Sequence, residues 1–374
     1  MKKIYKSLLR FFEGQPVRFE KFKTWIAEWV AIFRKAPLYK HVKWTNEQIR
    51  EFNDFWKKNY GKKISNRWHK LYEASNGVHR VDYLPEIIYS TKLEPSINNY
   101  SYCKVFADKN LNDLFFNGRI CGVRTPNVYL FNSHGKFYNA ERNLISKQQA
   151  IGIMENIGEA VIKPTVDSSS GKNVIIVNMA NGKTLRDGNS VSDIFEIYNK
   201  NFIVQEKIKP HIELSTLYPN SINTFRVTSY IVGDKIEVAP ISLRMGGNGG
   251  EVDNIHAGGM SISVANDGSL AKKAYRLGYG DSFKCFEQHP DTNVKFDGYR
   301  ISFLDKLIST ATRLHEMTAN IKIISWDLTI DSEGNIVVIE ANFKGQSVWF
   351  PQMLSGESFF GENTANVLKE NFLK

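Results

Sequence analysis

The segment that most limits what this chain can fold into lies near its C-terminus. Two apolar runs of strand length, Ile324–Ile330 and Ile336–Asn342, flank the turn-forming cluster Asp331-Ser332-Glu333-Gly334-Asn335, the pattern of a β-hairpin. Side chains alternate across a strand, so Glu340 and Asn342 share one face. A loop of about four residues sets Asp327 opposite Glu340, with Cβ atoms roughly 5 Å apart. Ser325 and Thr329 share that face, whereas Leu328, Ile330 and Ile339 point the other way. Two carboxylates and an amide oxygen on one patch repel each other unless a hard cation sits between them. Magnesium accepts a few such oxygens and completes its octahedron with phosphate and water. The competing reading is a solvated edge hairpin with scattered acids. The apolar flanks argue against it, because they place the acids on a sheet that is otherwise buried.

Other residues are of types that handle phosphate. Lys163 ends the apolar run Ala160–Ile162 just before Pro164, where an ammonium has to be paired or functional because burying it bare is costly. The loop Ser168–Asn173 (Ser168-Ser169-Ser170-Gly171-Lys172-Asn173) can fold backbone N–H groups around phosphate oxygens, with Gly171 allowing close approach; a flexible hairpin turn is the alternative. It is not a Walker A loop, since Val166 and Asn173 occupy positions that need glycine and Ser/Thr. The glycine-rich run after Arg244 is not GxGxxG either, with Val252 at the last glycine position. Arg226 and Arg244 each lie in an apolar strand, the second ahead of that run, Asp253-Asn254 and Gly258-Gly259. Either neutralises a transferring phosphoryl group while Asn254 orients it, or makes a structural salt bridge.

The 374 residues exceed one ordinary core, and the pattern divides them into three parts. Residues 1–80 read as a basic helical extension, with Phe19, Phe22, Ile26, Trp29, Val30 and Phe33 at helical spacing. Thr45 with Gln48 makes a capping box, and a helix from Ile64 stops at Asn76-Gly77. Residues 81–210 and 211–374 read as two α/β subdomains, with strands at Ala160–Pro164, Val174–Val177, Phe202–Glu206, Thr224–Val232 and Ile236–Arg244 and a helix at Ile301–Ala319. The extension holds 19 Lys and Arg against 7 Asp and Glu, while the chain as a whole carries +10, so the α/β body is close to neutral. That asymmetry fits a polyanionic neighbour, an anionic membrane or an acidic glycan, as well as a merely solubilising surface. The first 13 residues form a basic amphipathic helix if they are helical, with Ile4, Leu8, Phe11 and Phe12 on one side. Packing of such aromatics on the body is the reading preferred to membrane contact. Cys103, Cys121 and Cys285 show no CxxC spacing, which fits a reducing compartment. The N-terminus starts like a signal peptide, but Lys6 and Arg10 interrupt it, and no run approaches the ~18–20 apolar residues of a membrane span. A cytoplasmic protein, with an option of peripheral contact at the inner membrane face, is expected.

From Asp108 to Asn342 the ordered set resembles the ATP-grasp superfamily, and most of all its sugar-transfer-associated, exopolysaccharide-linked branch. The set runs Asp108-Lys109, Ile162-Lys163-Pro164, the serine-glycine loop, Val204-Gln205-Glu206-Lys207-Ile208, Asn223-Thr224-Phe225-Arg226-Val227, Arg244, Asp253-Asn254 with Gly258-Gly259, Asp327, and Glu340-Ala341-Asn342. The resemblance implies an α/β (α+β) ATP-grasp fold whose two subdomains enclose an ATP cleft. Lys109 and Lys163 would then touch ATP phosphates, with Ser169, Ser170 and Gly171 in a mobile lid. Gln205, Glu206, Lys207 and Ile208 would present backbone to adenine, and Glu213, with His211 nearby, would accept the ribose hydroxyls. Arg226, Arg244 and Asn254 would serve the transferred phosphoryl group, and Asp327, Glu340 and Asn342 would hold Mg2+. The implied reaction joins a small carboxylate, through an acyl phosphate, to an amine or sugar acceptor in surface polysaccharide synthesis. Phosphorylation of a hydroxyl, or a silent ATP-binding module docked on a glycosyltransferase, are the alternatives. Residues 1–100 match no generic ATP-grasp front end, and nucleic acid is not an expected partner.

Overall fold

The computed structural model describes residues 15–166, 173–180, 182–254, 258–277, 283–318 and 320–373. Among these, residues up to Asn99 and from Lys344 onward form one compact unit, and Tyr100 to Phe343 form the other.

The first unit is helical. Helices span Gln15–Arg34, Ala36–Tyr39, Asn46–Tyr60 and Arg67–Asn76. Thr45 and Gln48 exchange both capping-box hydrogen bonds, and Gly77 ends the fourth helix in the left-handed region at φ 77°. The boundary expected at residue 80 falls at Asn99, and the tail from Lys344 belongs with this unit rather than with the preceding α/β subdomain. The reason is a set of buried hydrogen bonds. Glu86 accepts from the N–H groups of Val348 and Trp349 at 2.8 and 2.9 Å, and Glu94 from that of Gly345 at 2.7 Å. The Gln352 amide bonds both ways to the Leu84 backbone. Phe19, Phe22, Ile26, Val30 and Phe33 do not pack as expected and are exposed. The proposed helix over the first 13 residues lies outside the described residues.

The second unit carries two sheets. A seven-stranded antiparallel sheet runs in the order Leu144–Ile145, Lys136–Asn139, Val128–Ser133, Phe202–Gln205, Glu159–Pro164, Ile175–Ala180, Lys183–Thr184. Ala150, Met154, Ile194 and Phe195 from helices Lys147–Glu155 and Val191–Tyr198 join its core. The nine-stranded sheet is ordered Val123–Arg124, Ile336–Asn342, Ile323–Ile330, Thr224–Val232, Ile241–Met245, Met260–Val264, Ala274–Leu277, Phe283–Phe286, with Lys235–Val238 paired to Thr224–Val232 off this path. The single strand expected at Ile236–Arg244 is therefore two, interrupted at Pro240, which has no N–H to continue the ladder. One face of this sheet is apolar: Phe225, Val227, Leu243, Trp326 and Leu328 bury with Leu304, Leu307, Ala311 and Leu314 of helix Leu304–Glu316. Side-chain alternation assigns Thr224, Arg226, Arg244 and Asp327 to the opposite face.

Candidate active site

Four neighbouring strands align the charged residues by register alone. Asp327 stands opposite Arg226 on one side and Glu340 on the other, and Arg244 stands opposite Thr224. The hairpin reaches the expected Asp327–Glu340 pairing by an unexpected route. Ile330 pairs with Ile336, so the turn has five residues, and a bulge between Asp327 and Leu328 leaves Ile339 as the extra residue that restores the offset.

Asp327 is 5% exposed, and both its oxygens accept from guanidinium groups. Arg226 Nε donates to Oδ1 at 2.6 Å and its Nη2 to Oδ2 at 3.2 Å, while Arg244 Nη2 lies 2.9 Å from Oδ2. Burial alone raises the Asp327 carboxyl, but Arg226 and Arg244 outweigh it and hold it below the usual carboxylate range. Burial likewise pushes Arg244 down, and Asp327 and Asp253 more than reverse this. Arg244 also donates to Thr224 Oγ1 at 3.1 and 2.7 Å, and the Thr224 hydroxyl and N–H both donate to Asp253. Asp253 thus positions Arg244 through Thr224, a link hidden in sequence by the 29 positions between the two residues.

Lys109 Nζ lies 3.3 Å from Glu340 Oε1. Lys163 is buried, and its one hydrogen bond among the described residues is a long one, 3.4 Å, to the carbonyl of the bulged Ile339. Burial first, then the neighbouring Lys109, brings its ammonium down to about 8, against the pull of Glu340 and Asp327. Asn342 stands opposite Ser325 and donates to its carbonyl at 3.4 Å. The structure therefore brings together Lys109, Lys163, Arg226, Arg244, Asp327, Glu340 and Asn342.

Other expected residues are engaged elsewhere. Glu213 accepts from the Ser302 hydroxyl and, at 2.9 Å, from its N–H. Glu206 accepts from Arg124 at 2.8 and 3.1 Å and from the Asn127 N–H, and Arg124 also grips Asp331 in the hairpin turn at 2.8 Å. Lys207 donates to Glu159 at 2.6 Å. Gln205 is held in the sheet between Val128 and Val161, and Ile208 is buried. The Asn254 carbonyl accepts from Gly259. Ser169, Ser170 and Gly171 lie outside the described residues. A cavity of about 810 Å3 beside Ile175–Val177 and Tyr198 is lined by none of the clustered charges.

The donor chemistry of the hairpin fits a hard divalent cation: a half-buried carboxylate at Glu340, an amide oxygen at Asn342 and the buried Asp327. Such an ion competes with Arg226 and Arg244 for Asp327, so Glu340 and Asn342 are the better-placed ligands. Among the described residues no group of three or more His, Cys, Asp and Glu forms a metal site on its own.

A family model described as sugar-transfer associated ATP-grasp matches residues 89–368, three quarters of the chain. The chain belongs to that family. No curated protein matches this ATP-grasp chain. Among solved structures it is similar to an L-amino acid ligase from Bacillus licheniformis (13% identity, 72% of this chain and 49% of that one, TM-score 0.39). It is also similar to the VanG D-Ala:D-Ser ligase from Enterococcus faecalis (14%, 74% and 64%, TM-score 0.42) and to a D-alanine–D-alanine ligase from Bacillus anthracis complexed with ATP (12%, 74% and 68%, TM-score 0.38). It spans about half of the first and just under two thirds of the second. No helix among the described residues is long and apolar enough to cross a membrane.

Proposed function

We propose that this ATP-grasp protein binds ATP with magnesium at the charged cluster and uses it to activate a small carboxylate as an acyl phosphate. One observation supports this above the rest. Among the described residues four cations, Lys109, Lys163, Arg226 and Arg244, meet three carboxylates, Asp327, Glu340 and Asp253, and the Lys163 ammonium makes one long hydrogen bond there. A partly buried cationic surplus of this kind is stabilised by a polyanion, and a triphosphate supplies the needed charge and acceptor oxygens. Glu340 and Asn342, with Asp327 behind them, would hold Mg2+, which neutralises phosphate charge and orients the terminal phosphoryl group.

In the proposed reaction a substrate carboxylate oxygen attacks the γ-phosphorus, the bond to the β-phosphate oxygen breaks, and ADP leaves. An amine or hydroxyl of an acceptor then attacks the acyl carbon and releases phosphate. Arg226 and Arg244, fixed by Asp327 and Thr224, spread charge on the transferred group; Lys109 and Lys163 hold the phosphates that stay behind. A sugar-linked acceptor follows from the family's description alone. Hydroxylamine trapping tests the reading. With ATP, Mg2+ and a panel of amino and uronic acids, one carboxylate should yield hydroxamate together with ADP. Phosphate ester with no hydroxamate would instead make the protein a kinase, and ATP binding without ADP release a silent module.

A further inference from the structure

Among the described residues the helix Gln15–Arg34 presents a largely exposed apolar face, with Arg67 stacked on Phe33 at 4.9 Å, that the ATP-handling residues do not explain. Phe19, Phe22, Ile26, Val30 and Phe33 recur at spacings of three and four, so they form one stripe, and their exposures run from 43% for Ile26 to 65% for Phe19. The helix is anchored on its far side by the buried Ile32 and on the stripe's flank by Trp29, which touches Phe33 and packs edge-on against Trp68 with centroids 5.2 Å apart. A contiguous stripe of this size is uncommon on a surface with no partner. The charges beside it identify the partner. Arg18, Lys21, Lys23 and Arg34 are exposed, against one exposed carboxylate, Glu20, which pairs loosely with Lys23 at 3.9 Å. By helical geometry Arg18 flanks the stripe on one side, and Lys23 and Arg34 on the other. Two copies meeting stripe to stripe would bring these bases together, whereas an anionic surface accepts them on both flanks.

We propose that this helix lies flat on an anionic phospholipid bilayer, its phenylalanines in the acyl boundary and its bases among the headgroups. The protein is then a peripheral membrane protein.

Flotation of the full chain with vesicles tests this. Binding should be strong to phosphatidylcholine containing about one third phosphatidylglycerol, at least about tenfold weaker to phosphatidylcholine alone, and weakened by about 0.5 M salt. Phe19→Ser/Phe22→Ser/Phe33→Ser should lower binding about tenfold or more with an unchanged circular dichroism spectrum, since those side chains are exposed. Arg18→Glu/Lys21→Glu/Lys23→Glu should remove most of the preference for the anionic vesicles. The proposal is overturned if wild type binds neither vesicle, or if the triple-serine variant binds as well as wild type. A wild-type dimer that the serine variant converts to monomer, without vesicle binding, would assign the stripe to a second copy instead.

Discussion

Two buried carboxylates, one in each unit, are stabilised by opposite means. Asp327 is ionised because two guanidinium groups grip it, and its proton affinity falls. Glu86 is also buried and accepts two backbone N–H groups, but its charged neighbours are Glu28 and Glu94, and burial followed by Glu28 raises it to about 8. Backbone dipoles complete the hydrogen bonds of Glu86 without neutralising its charge; the guanidinium groups at Asp327 do both. The Glu86 arrangement ties the tail from Lys344 to the helices. The Asp327 arrangement keeps charged groups on one sheet face, where they can act on a ligand.

The largest effect expected from breaking this contrast is at Asp327. Asp327→Ala leaves the partly buried Arg226 and Arg244 side by side with no carboxylate between them, so it should cost about 3 kcal/mol in urea unfolding and lower ADP release by about a thousandfold or more. Replacing all three, as Asp327→Leu/Arg226→Met/Arg244→Met, should recover most of the stability and none of the activity; recovery of neither would show that the network is not an isolated charge unit. Next comes Glu340→Gln. Its pair with Lys109 is partly exposed, so stability should change by less than about 1 kcal/mol, while magnesium-dependent turnover should drop about a hundredfold.

A smaller effect is expected from pH. Free Lys163 gives up its proton near pH 8, and phosphate favours the protonated form, so ATP affinity should fall as pH rises above about 8, by up to about tenfold per unit. Lys163→Met should bind weakly at every pH and lose that slope. Smallest in its effect on activity is Glu86→Gln. In the folded chain Glu86 keeps its proton to about 8, against an ordinary value of 4.5, so the fold loses stability as pH climbs between those values. The glutamine variant should flatten that loss in thermal melts from pH 5 to 9 and leave turnover unchanged; a parallel pH profile would contradict the assignment.

Local chemistry made much of this legible. Alternation and turn residues in one short stretch mark the hairpin, although the Asp327–Glu340 pairing itself depends on the bulge at Ile339, and Thr45, Gln48 and Gly77 mark helix ends through bonds a few residues long. What stayed hidden depends on distant partners. Glu213 has the residue type of a ribose acceptor, and its carboxylate also holds Ser302, 89 positions away, a contact no motif shows. The grip of Arg226 and Arg244 on Asp327 spans strands about a hundred residues apart, so a motif alone reads the aspartate as a metal ligand without showing its competitors. Hydrophobic periodicity found the stripe on Gln15–Arg34 but not that it is exposed, because a core face and a docking face have the same period.

The measurement closest to the central claim is calorimetric titration of ATP into the wild-type chain, with and without Mg2+, alongside Lys163→Met and Glu340→Gln. Saturable binding that is stronger with Mg2+, weakened at least about tenfold by Lys163→Met in either condition, and stripped of its Mg2+ enhancement by Glu340→Gln is the predicted result. Equal affinity in all three chains, or no binding by the wild type, would contradict it.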